Sequence, residues 1–213
     1  HRDLHSFPTR RSSDLVINIS IANPEEGNGL PYYDGKVAVE DMIKSSGLDY
    51  SIIRPTVIYG REGILINNIT WFLRHLPVFG IPGNGEYQMQ PVFVEDLANL
   101  IVDQIYADEN TIMDAVGPEI YKFTDLLHLI RNITGSKALL IKVPYWAALI
   151  AVRALGFYVN DIAMTADEQE GLSRNLLISH KAPTCSGRLS EWLKSNSDWL
   201  GKRYFSEINK HYK

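Results

Sequence analysis

Two short apolar runs, separated by one helix-length segment, constrain the fold of this chain more than any other feature. The run at 16–21 is β-branched and nearly all apolar, as buried parallel strands are, and the run at 48–54 is the next predicted strand, which Pro55 ends. Between them, Pro31 suits the first turn of a helix and Gly47 suits its left-handed end. The order strand, helix, strand predicts a βαβ unit with parallel strands.

The predicted helix carries Tyr32 and Lys36, which are four positions apart and therefore lie on one face. Val39 and Ile43 continue that stripe, so we expect it to face the interior. A positive charge nearby lowers the pKa of a phenol, which can then exchange a proton with a hydroxyl or carbonyl group. The alternative is a half-buried tyrosine beside a solvated lysine, and the spacing alone does not separate the two.

The ends of the predicted strands indicate where a ligand would bind. Ligands of open α/β sheets bind beyond the carboxyl ends of the strands. The segments 20–23 and 55–60 leave those ends, and the helix that crosses between the strands begins near them. We therefore expect Tyr32 and Lys36 to lie beside these two segments.

Composition excludes several other functions. The 213 residues are 45% hydrophobic and 22% charged, with a net charge of −4 and no basic patch, so we expect no nucleic-acid partner. Cys185 is the only cysteine and the six histidines are scattered, which predicts no disulfide and no metal, and fits a cytoplasmic protein. The apolar segment 144–159 is interrupted by Arg153 and is too short to span a membrane, so membrane contact is not expected.

Three segments follow one another in a recognisable order: Tyr32-x-x-x-Lys36, then IRPTVIYG at 53–60, then QPVFVEDLA at 90–98. Their succession resembles the landmarks of the extended or atypical short-chain dehydrogenases/reductases. The similarity is greatest to NAD(P)-binding epimerase-like proteins related to the accessory dehydrogenase-like subunit of respiratory complex I. It extends from residue 16 to the C-terminus.

This resemblance implies roles for residues around the predicted site. Tyr32 would be the acid/base at the substrate oxygen, and Lys36 would hold the nicotinamide ribose and lower the pKa of the tyrosine. Pro55, Thr56 and Val57 would pack along the nicotinamide of NAD or NADP.

On the substrate side, the resemblance places Ser20 where the family has its substrate-orienting serine. The usual second serine is missing from Ser20-Ile21-Ala22-Asn23, so Asn23 is the alternative position to meet the substrate. A packed strand hydroxyl is an equal alternative for Ser20. Pro91 and Val94 would also lie near the substrate.

The resemblance and the sequence pattern together define the expected organisation. Residues 1–15 have neither a strand nor a helix period, and we interpret them as a non-native leader. Residues 16–116 would form the C-terminal half of a Rossmann-like NAD(P)-binding domain with substrate-side insertions, and 117–213 a small α-rich C-terminal lobe. The predicted class is α/β: the C-terminal part of a doubly wound (Rossmann-like) parallel sheet, with a small, mostly helical substrate lobe.

Residue patterns beyond the βαβ unit predict further elements. Asp96 would be a carboxylate at the start of its helix. The predicted elements are a helix at 62–74, a Gly/Pro-rich loop at 76–86, a strand at 87–92, a helix at 97–106, a strand at 111–116, a helix from 121 to Gly135, a strand at 138–143 and a helix at 167–172.

Two function classes fit these features. The first is an NAD(P)-dependent oxidoreductase or epimerase that uses the Tyr–Lys pair on a small hydroxyl or carbonyl substrate. The second is a non-catalytic dinucleotide-binding regulatory or scaffold protein, which the missing second serine favours. Neither the oligomeric state nor the choice between NAD and NADP follows from the sequence.

The family opens with a Gly-x-x-Gly-x-x-Gly loop that binds the cofactor pyrophosphate, and no such loop occurs here. We therefore predict that this chain on its own is inactive and binds NAD(P) poorly or not at all. Titration of the 213-residue chain with NADH, followed by fluorescence, tests this expectation. A dissociation constant on the order of micromolar would contradict it.

Overall fold

The computed structural model describes residues 15–27, 29–151 and 166–206. Its central sheet has three parallel strands in the order β1 (Leu15–Ile19), β2 (Asp49–Pro55) and β7 (Thr111–Ala115). Helix α1 (Pro31–Ser45) connects the first two strands, so the predicted βαβ unit is confirmed. Residues 1–14 of the proposed leader lie outside the described part, and Leu15 is the first residue of β1.

The remaining elements form three smaller sheets and the helices around them. They are a 3-10 helix Pro24–Gly27, β3 (Ile58–Tyr59), α2 (Ile64–His75), β4 (Val78–Pro82), β5 (Gln88–Met89), β6 (Val92–Phe93), α3 (Val94–Asp103), a second 3-10 helix Gln104–Tyr106, β8 (Tyr121–Lys122), α4 (Phe123–Thr134), β9 (Leu139–Val143), α5 (described over 145–151), α6 (Ala166–Ser173) and α7 (Leu189–Ser195).

Helices cover both faces of the central sheet. Ile53 and Arg54 are neighbours on β2, so their side chains point to opposite faces. Ile53 packs in an apolar cluster with Leu97 of α3, whereas Arg54 binds Glu40 of α1. Helices α1 and α3 therefore lie on opposite faces, as in the predicted doubly wound α/β fold.

The buried face of α1 differs from the predicted stripe. Tyr33 and Glu40 are the buried residues of this helix, whereas Val39 is 42% exposed. The expectation that the stripe with Tyr32 and Val39 faces the interior is therefore wrong, since Tyr32 is 54% exposed as well. Arg54 supplies a positive charge beneath the helix, and that charge lets a carboxylate take the inward position that an apolar side chain usually occupies.

The predicted Gly/Pro-rich loop at 76–86 contains a strand instead. Val78–Pro82 forms β4, which pairs in parallel with β9 from Val78↔Leu139 to Pro82↔Val143. Gly80 lies opposite Ile141, and a Cβ there would come within 3.3 Å of Val143, so this tight position favours glycine. Pro82 lies in one strand of a two-stranded sheet, and a missing N–H is tolerated in such an edge strand.

The predicted strand at 87–92 is divided in two. Gln88–Met89 pairs antiparallel with β8, and Val92–Phe93 pairs in parallel with β3. Pro91 lies between them, has no N–H to donate to a ladder, and ends the first strand.

Other predicted helix ends and strands are confirmed. Gly47 and Gly135 take the left-handed conformation, with φ of 77° and 66°. The predicted strands at 111–116 and 138–143 and the helix at 167–172 are present, each within two residues of its predicted ends.

The larger apolar core lies outside the central sheet. It joins residues before position 116, such as Ile66 and Tyr87, to residues after it, such as Leu126, Leu193 and Leu200. The proposed substrate-side insertions and the proposed C-terminal lobe therefore share one core. Residues 152–159 of the apolar segment lie outside the described part of the chain. Among the residues that the structure describes, no helix is long and apolar enough to cross a membrane.

We predict that Gly27→Ala destabilises the fold, because a Cβ at residue 27 would overlap the buried ring of Tyr33. Overpacking of this kind costs about 1–3 kcal/mol of unfolding free energy. Gly35→Ala is the matched control, since a Cβ there meets nothing within 4 Å and alanine favours a helix. Urea unfolding of both variants measures the difference, and equal midpoints would contradict this packing.

Candidate active site at the carboxyl end of the central sheet

Backbone hydrogen bonds bring the first two predicted segments together. The Ser20 amide donates to the Ile53 carbonyl at 2.8 Å, and the Ala22 amide donates to the Pro55 carbonyl at 2.9 Å. These bonds continue the β1–β2 ladder past the end of β1. The segment 20–23 before α1 and the segment 55–60 at the end of β2 (the proline segment) are therefore neighbours at one edge.

The third segment joins the same edge through the 55–57 loop. The Val92 amide donates to the Val57 carbonyl at 2.8 Å, and the Thr56 hydroxyl donates to the Gln90 carbonyl. Val57 is 7% exposed and belongs to the large core. The segments 20–22, 55–57 and 90–92 thus meet beyond the carboxyl ends of β1 and β2.

Tyr32 and Lys36 are adjacent on the first turns of α1. The Lys36 ammonium lies 5.6 Å from the centre of the Tyr32 ring and donates a 3.1 Å hydrogen bond to the Ile19 carbonyl at the end of β1. Tyr32 is 54% exposed, and its ring meets that of Tyr33 edge to face at 5.9 Å. The lysine is therefore directed at the sheet edge while the phenol keeps an open side.

A buried ion pair lies one turn further along α1. Arg54 donates from Nε to Glu40 Oε1 at 2.9 Å and from Nη2 to Glu40 Oε2 at 2.5 Å, a two-point contact. The same Nη2 lies 2.6 Å from Glu25 in the segment before α1, and Lys44 lies 3.3 Å from Glu40. The Glu40 side chain is 1% exposed and that of Arg54 is 12% exposed.

The charges of this pair reinforce each other. Burial acts to raise the pKa of Glu40, but the hydrogen bonds and charge of Arg54 outweigh it and hold the pKa below its usual range. Burial acts to lower the pKa of Arg54, and the bonds to Glu40 and Glu25 reverse that effect, so the net pKa is raised. Both groups are charged at neutral pH.

The Ser20 hydroxyl points into the interface between the sheet and α1. Ser20 is 4% exposed, and its hydroxyl lies next to the Glu40 carboxylate. It is close enough to Glu40 to favour the charged carboxylate. The structure thus places the predicted substrate-orienting serine on the buried side of α1.

Asn23 connects the site to a distant part of the chain. Its side-chain nitrogen donates to the carbonyls of Leu176 at 3.1 Å and Ile178 at 2.5 Å, and its φ is 50°. Asparagine tolerates this left-handed conformation better than most residues. Both side-chain N–H groups therefore bind backbone carbonyls.

Pro91 and Val94 lie in the stretch that contacts residues 56–60. Pro91 is buried, whereas Val94 is 43% exposed at the start of α3 and sits directly over Gly60. Asp96 lies in the first turn of α3, as predicted, and its carboxylate also accepts from the amides of Ser186 and Gly187 at 3.0 and 2.7 Å.

A shallow cleft of about 380 Å³ lies between α3 and the segment 183–186, and neither Tyr32 nor Lys36 lines it. Cys185 borders this cleft, and burial raises the pKa of its thiol, so it is a weak nucleophile. Among residues 15–27, 29–151 and 166–206, no group of acidic, histidine and cysteine side chains could hold a metal ion.

Sequence reasoning missed the contribution of Glu25, Glu40 and Arg54. One signal was available, because Glu40 follows Lys36 by four residues and so lies one turn along the same side of α1. The pairing with Arg54 brings together residues from three different segments, and spacing alone does not predict it.

Comparison with known proteins identifies the fold. No protein-family model matches the chain. The chain superposes on an NADPH-dependent quinone oxidoreductase from Escherichia coli, in a complex with NADPH, with a TM-score of 0.67 and 16% identity. It also superposes on a UDP-glucuronic acid 4-epimerase from Bacillus cereus, in a complex with NAD, with a TM-score of 0.58 and 16% identity.

The chain has the Rossmann-like α/β fold of these NAD(P)-binding oxidoreductase and epimerase structures. The two superpositions cover 85% and 88% of this chain, and 65% and 61% of the oxidoreductase and the epimerase. In sequence, the chain is 22% identical over 158 residues to subunit 9 of the NADH dehydrogenase [ubiquinone] 1 alpha subcomplex, a mitochondrial protein of Arabidopsis thaliana. That match covers 69% of this chain and 39% of the plant protein, so the chain spans about two fifths of the length of this relative, and the 22% identity makes the relationship distant.

We predict that Glu40→Gln lowers the unfolding free energy by about 3 kcal/mol at neutral pH, because it leaves part of the Arg54 charge unpaired in a buried site. The lowered pKa of Glu40 means that the wild-type advantage is complete above the unfolded-state pKa of about 4.3. The advantage is then lost as the pH falls through the folded-state pKa.

Urea unfolding of wild type and variant from neutral to acidic pH measures this difference. Glu86→Gln is the control, since it removes a carboxylate from an exposed lysine pair and should change stability little. A stability difference that stays constant down to acidic pH would contradict the ion pair.

Proposed function

We propose that this chain carries the proton-transfer site of an NAD(P)-dependent oxidoreductase or epimerase that acts on a hydroxyl or carbonyl group. The observation that carries the proposal is the position of the Lys36 ammonium, between the Tyr32 ring and the carboxyl end of β1. This is the edge at which ligands of open α/β sheets bind.

A dinucleotide fits the chemistry of this edge. The Lys36 ammonium has donors beyond the one bound to Ile19, and these suit ribose hydroxyls. Pro55, Thr56 and Val57, in the segment that is joined to the end of β1, would lie along the nicotinamide. The structurally similar oxidoreductase and epimerase are complexes with NADPH and NAD, which supports a dinucleotide here without deciding between the two.

Tyr32 and Lys36 would carry out the proton transfer. A bound nicotinamide would supply or accept the hydride. Tyr32 would donate its phenolic proton to the carbonyl oxygen of a substrate as an alcohol forms, or accept the hydroxyl proton in the reverse direction. The Lys36 ammonium would stabilise the negative charge that remains on the phenol oxygen.

A second candidate is a dinucleotide-binding scaffold without turnover. Two observations favour it: Ser20 is turned into the interface with α1, and Asn23 uses both its N–H groups on backbone carbonyls. Under this reading neither residue would orient a substrate, although Lys36 could still hold a ribose. Dinucleotide binding without turnover is the outcome that distinguishes it.

We predict that Tyr32→Phe lowers the rate at least about 10²-fold in the longest form of the protein that the gene encodes, because it removes the acid/base group. The assay follows NADH and NADPH absorbance with quinone acceptors, and UDP-sugar epimerisation by chromatography. Tyr33→Phe is the matched control, since it removes the same hydroxyl from the adjacent, buried tyrosine.

Three outcomes are informative. A large loss for Tyr32→Phe alone supports the enzyme. Equal rates for wild type and Tyr32→Phe reject the acid/base role. NADH or NADPH binding without any turnover favours the scaffold.

A further inference from the structure

Arg54 contacts the chain on both sides of Tyr32. It binds Glu25, seven residues before the tyrosine, and Glu40, eight residues after it. Arg54 also directly precedes Pro55, whose carbonyl fixes the segment after β1 through Ala22. One side chain therefore connects the approach to α1, the middle of α1 and the proline segment.

The geometry of this contact is directional. Two hydrogen bonds from one planar guanidinium to one carboxylate fix both the distance and the orientation of the pair. An apolar contact would allow the helix to slide or turn. A buried ion pair adds little net stability compared with apolar packing, so its directionality is the feature that distinguishes it here.

Apolar packing alone constrains the rotation of α1 weakly. Its outer side exposes Val39 at 42% and Met42 at 71%, and Tyr33 is the one fully buried apolar residue of the helix. A rotation of 20° about the helix axis would move a Cα atom by about 0.8 Å, given a helix radius of about 2.3 Å. That displacement moves the base of the Lys36 side chain relative to the Ile19 carbonyl, to which the ammonium donates its 3.1 Å hydrogen bond.

We propose that Arg54 and Glu40 are positioning residues that set the rotation of α1 and thereby hold the Lys36 ammonium at the end of β1, beside Tyr32. This inference rests on the proposed function for its relevance to catalysis. The positioning itself is a property of the folded chain and can be measured without any cofactor.

The first test follows the Lys36 ammonium directly. Proton–nitrogen NMR of lysine side chains, at mildly acidic pH and low temperature, reports how fast each ammonium exchanges with water. We expect Glu40→Gln and Arg54→Lys to accelerate the exchange at Lys36 by about fivefold, the factor that one hydrogen bond of ordinary strength supplies. Glu86→Gln is the control and should leave Lys36 unchanged while it accelerates Lys122, the partner of Glu86.

Backbone amide spectra establish that each variant is folded at the measuring temperature. Arg54→Lys keeps the charge and loses the two-point contact, so it provides the same test if Glu40→Gln fails to fold. An unchanged Lys36 exchange rate in a folded variant would overturn the positioning role.

A second test connects positioning to the cofactor. In the longest form of the protein, we expect the same variants to weaken NADH or NADPH binding by about tenfold, measured by fluorescence well below their unfolding temperatures. A purely structural role would lower the unfolding temperature and leave the dissociation constant of the folded variants unchanged, and that result would overturn the link to the cofactor. If the wild type binds neither dinucleotide, the proposed function fails, and the ammonium measurement still decides the positioning.

Discussion

The register of β1 against β2 is the constraint on which the candidate site depends. Ile19 lies opposite Ile53, and the ladder continues through Ser20 and Ala22 into the proline segment. A slip of one residue would turn every side chain of β1 to the other face of the sheet. Ser20 would then leave the α1 side, and the Ile19 carbonyl would no longer stand where Lys36 reaches it.

The ion pair between Arg54 and Glu40 builds on this register. Removing two charges from water costs several kcal/mol for each ion, and the two-point contact offsets that cost only when the helix and the strand are correctly aligned. Such a pair penalises misaligned states more than it stabilises the aligned one. The strand register fixes Arg54, and Arg54 fixes α1 through Glu40. The position of Tyr32 and Lys36 on α1 therefore depends on both.

The sequence predicts the parts of this fold that depend on local chemistry. The strand, helix, strand order follows from β-branched runs, from Pro31 and from Gly47, which takes the predicted left-handed conformation. The sequence does not predict the buried face of α1. Hydrophobicity favours Val39 as the residue that faces the interior, and Arg54 from a distant segment places Glu40 there instead. Strand β4 was missed because it pairs with a segment about 60 residues away, and local residue patterns carry no information about that partner.

In the candidate site too, the sequence predicts what depends on local chemistry and not what depends on distant segments. The spacing of Tyr32 and Lys36 predicts their contact, because it depends on one helix alone. The surroundings of Ser20 and Asn23 depend on Glu40 and on the backbone at 176–178, which the topology brings there from distant parts of the chain.

The most direct test of this account is a crystal structure of the longest form of the protein grown with NADPH or NADH. The account predicts the nicotinamide ribose within hydrogen-bonding distance of the Lys36 ammonium, with the ring along Pro55, Thr56 and Val57. A dinucleotide bound away from α1, or a Lys36 side chain directed into solvent beside a bound nicotinamide, would contradict it.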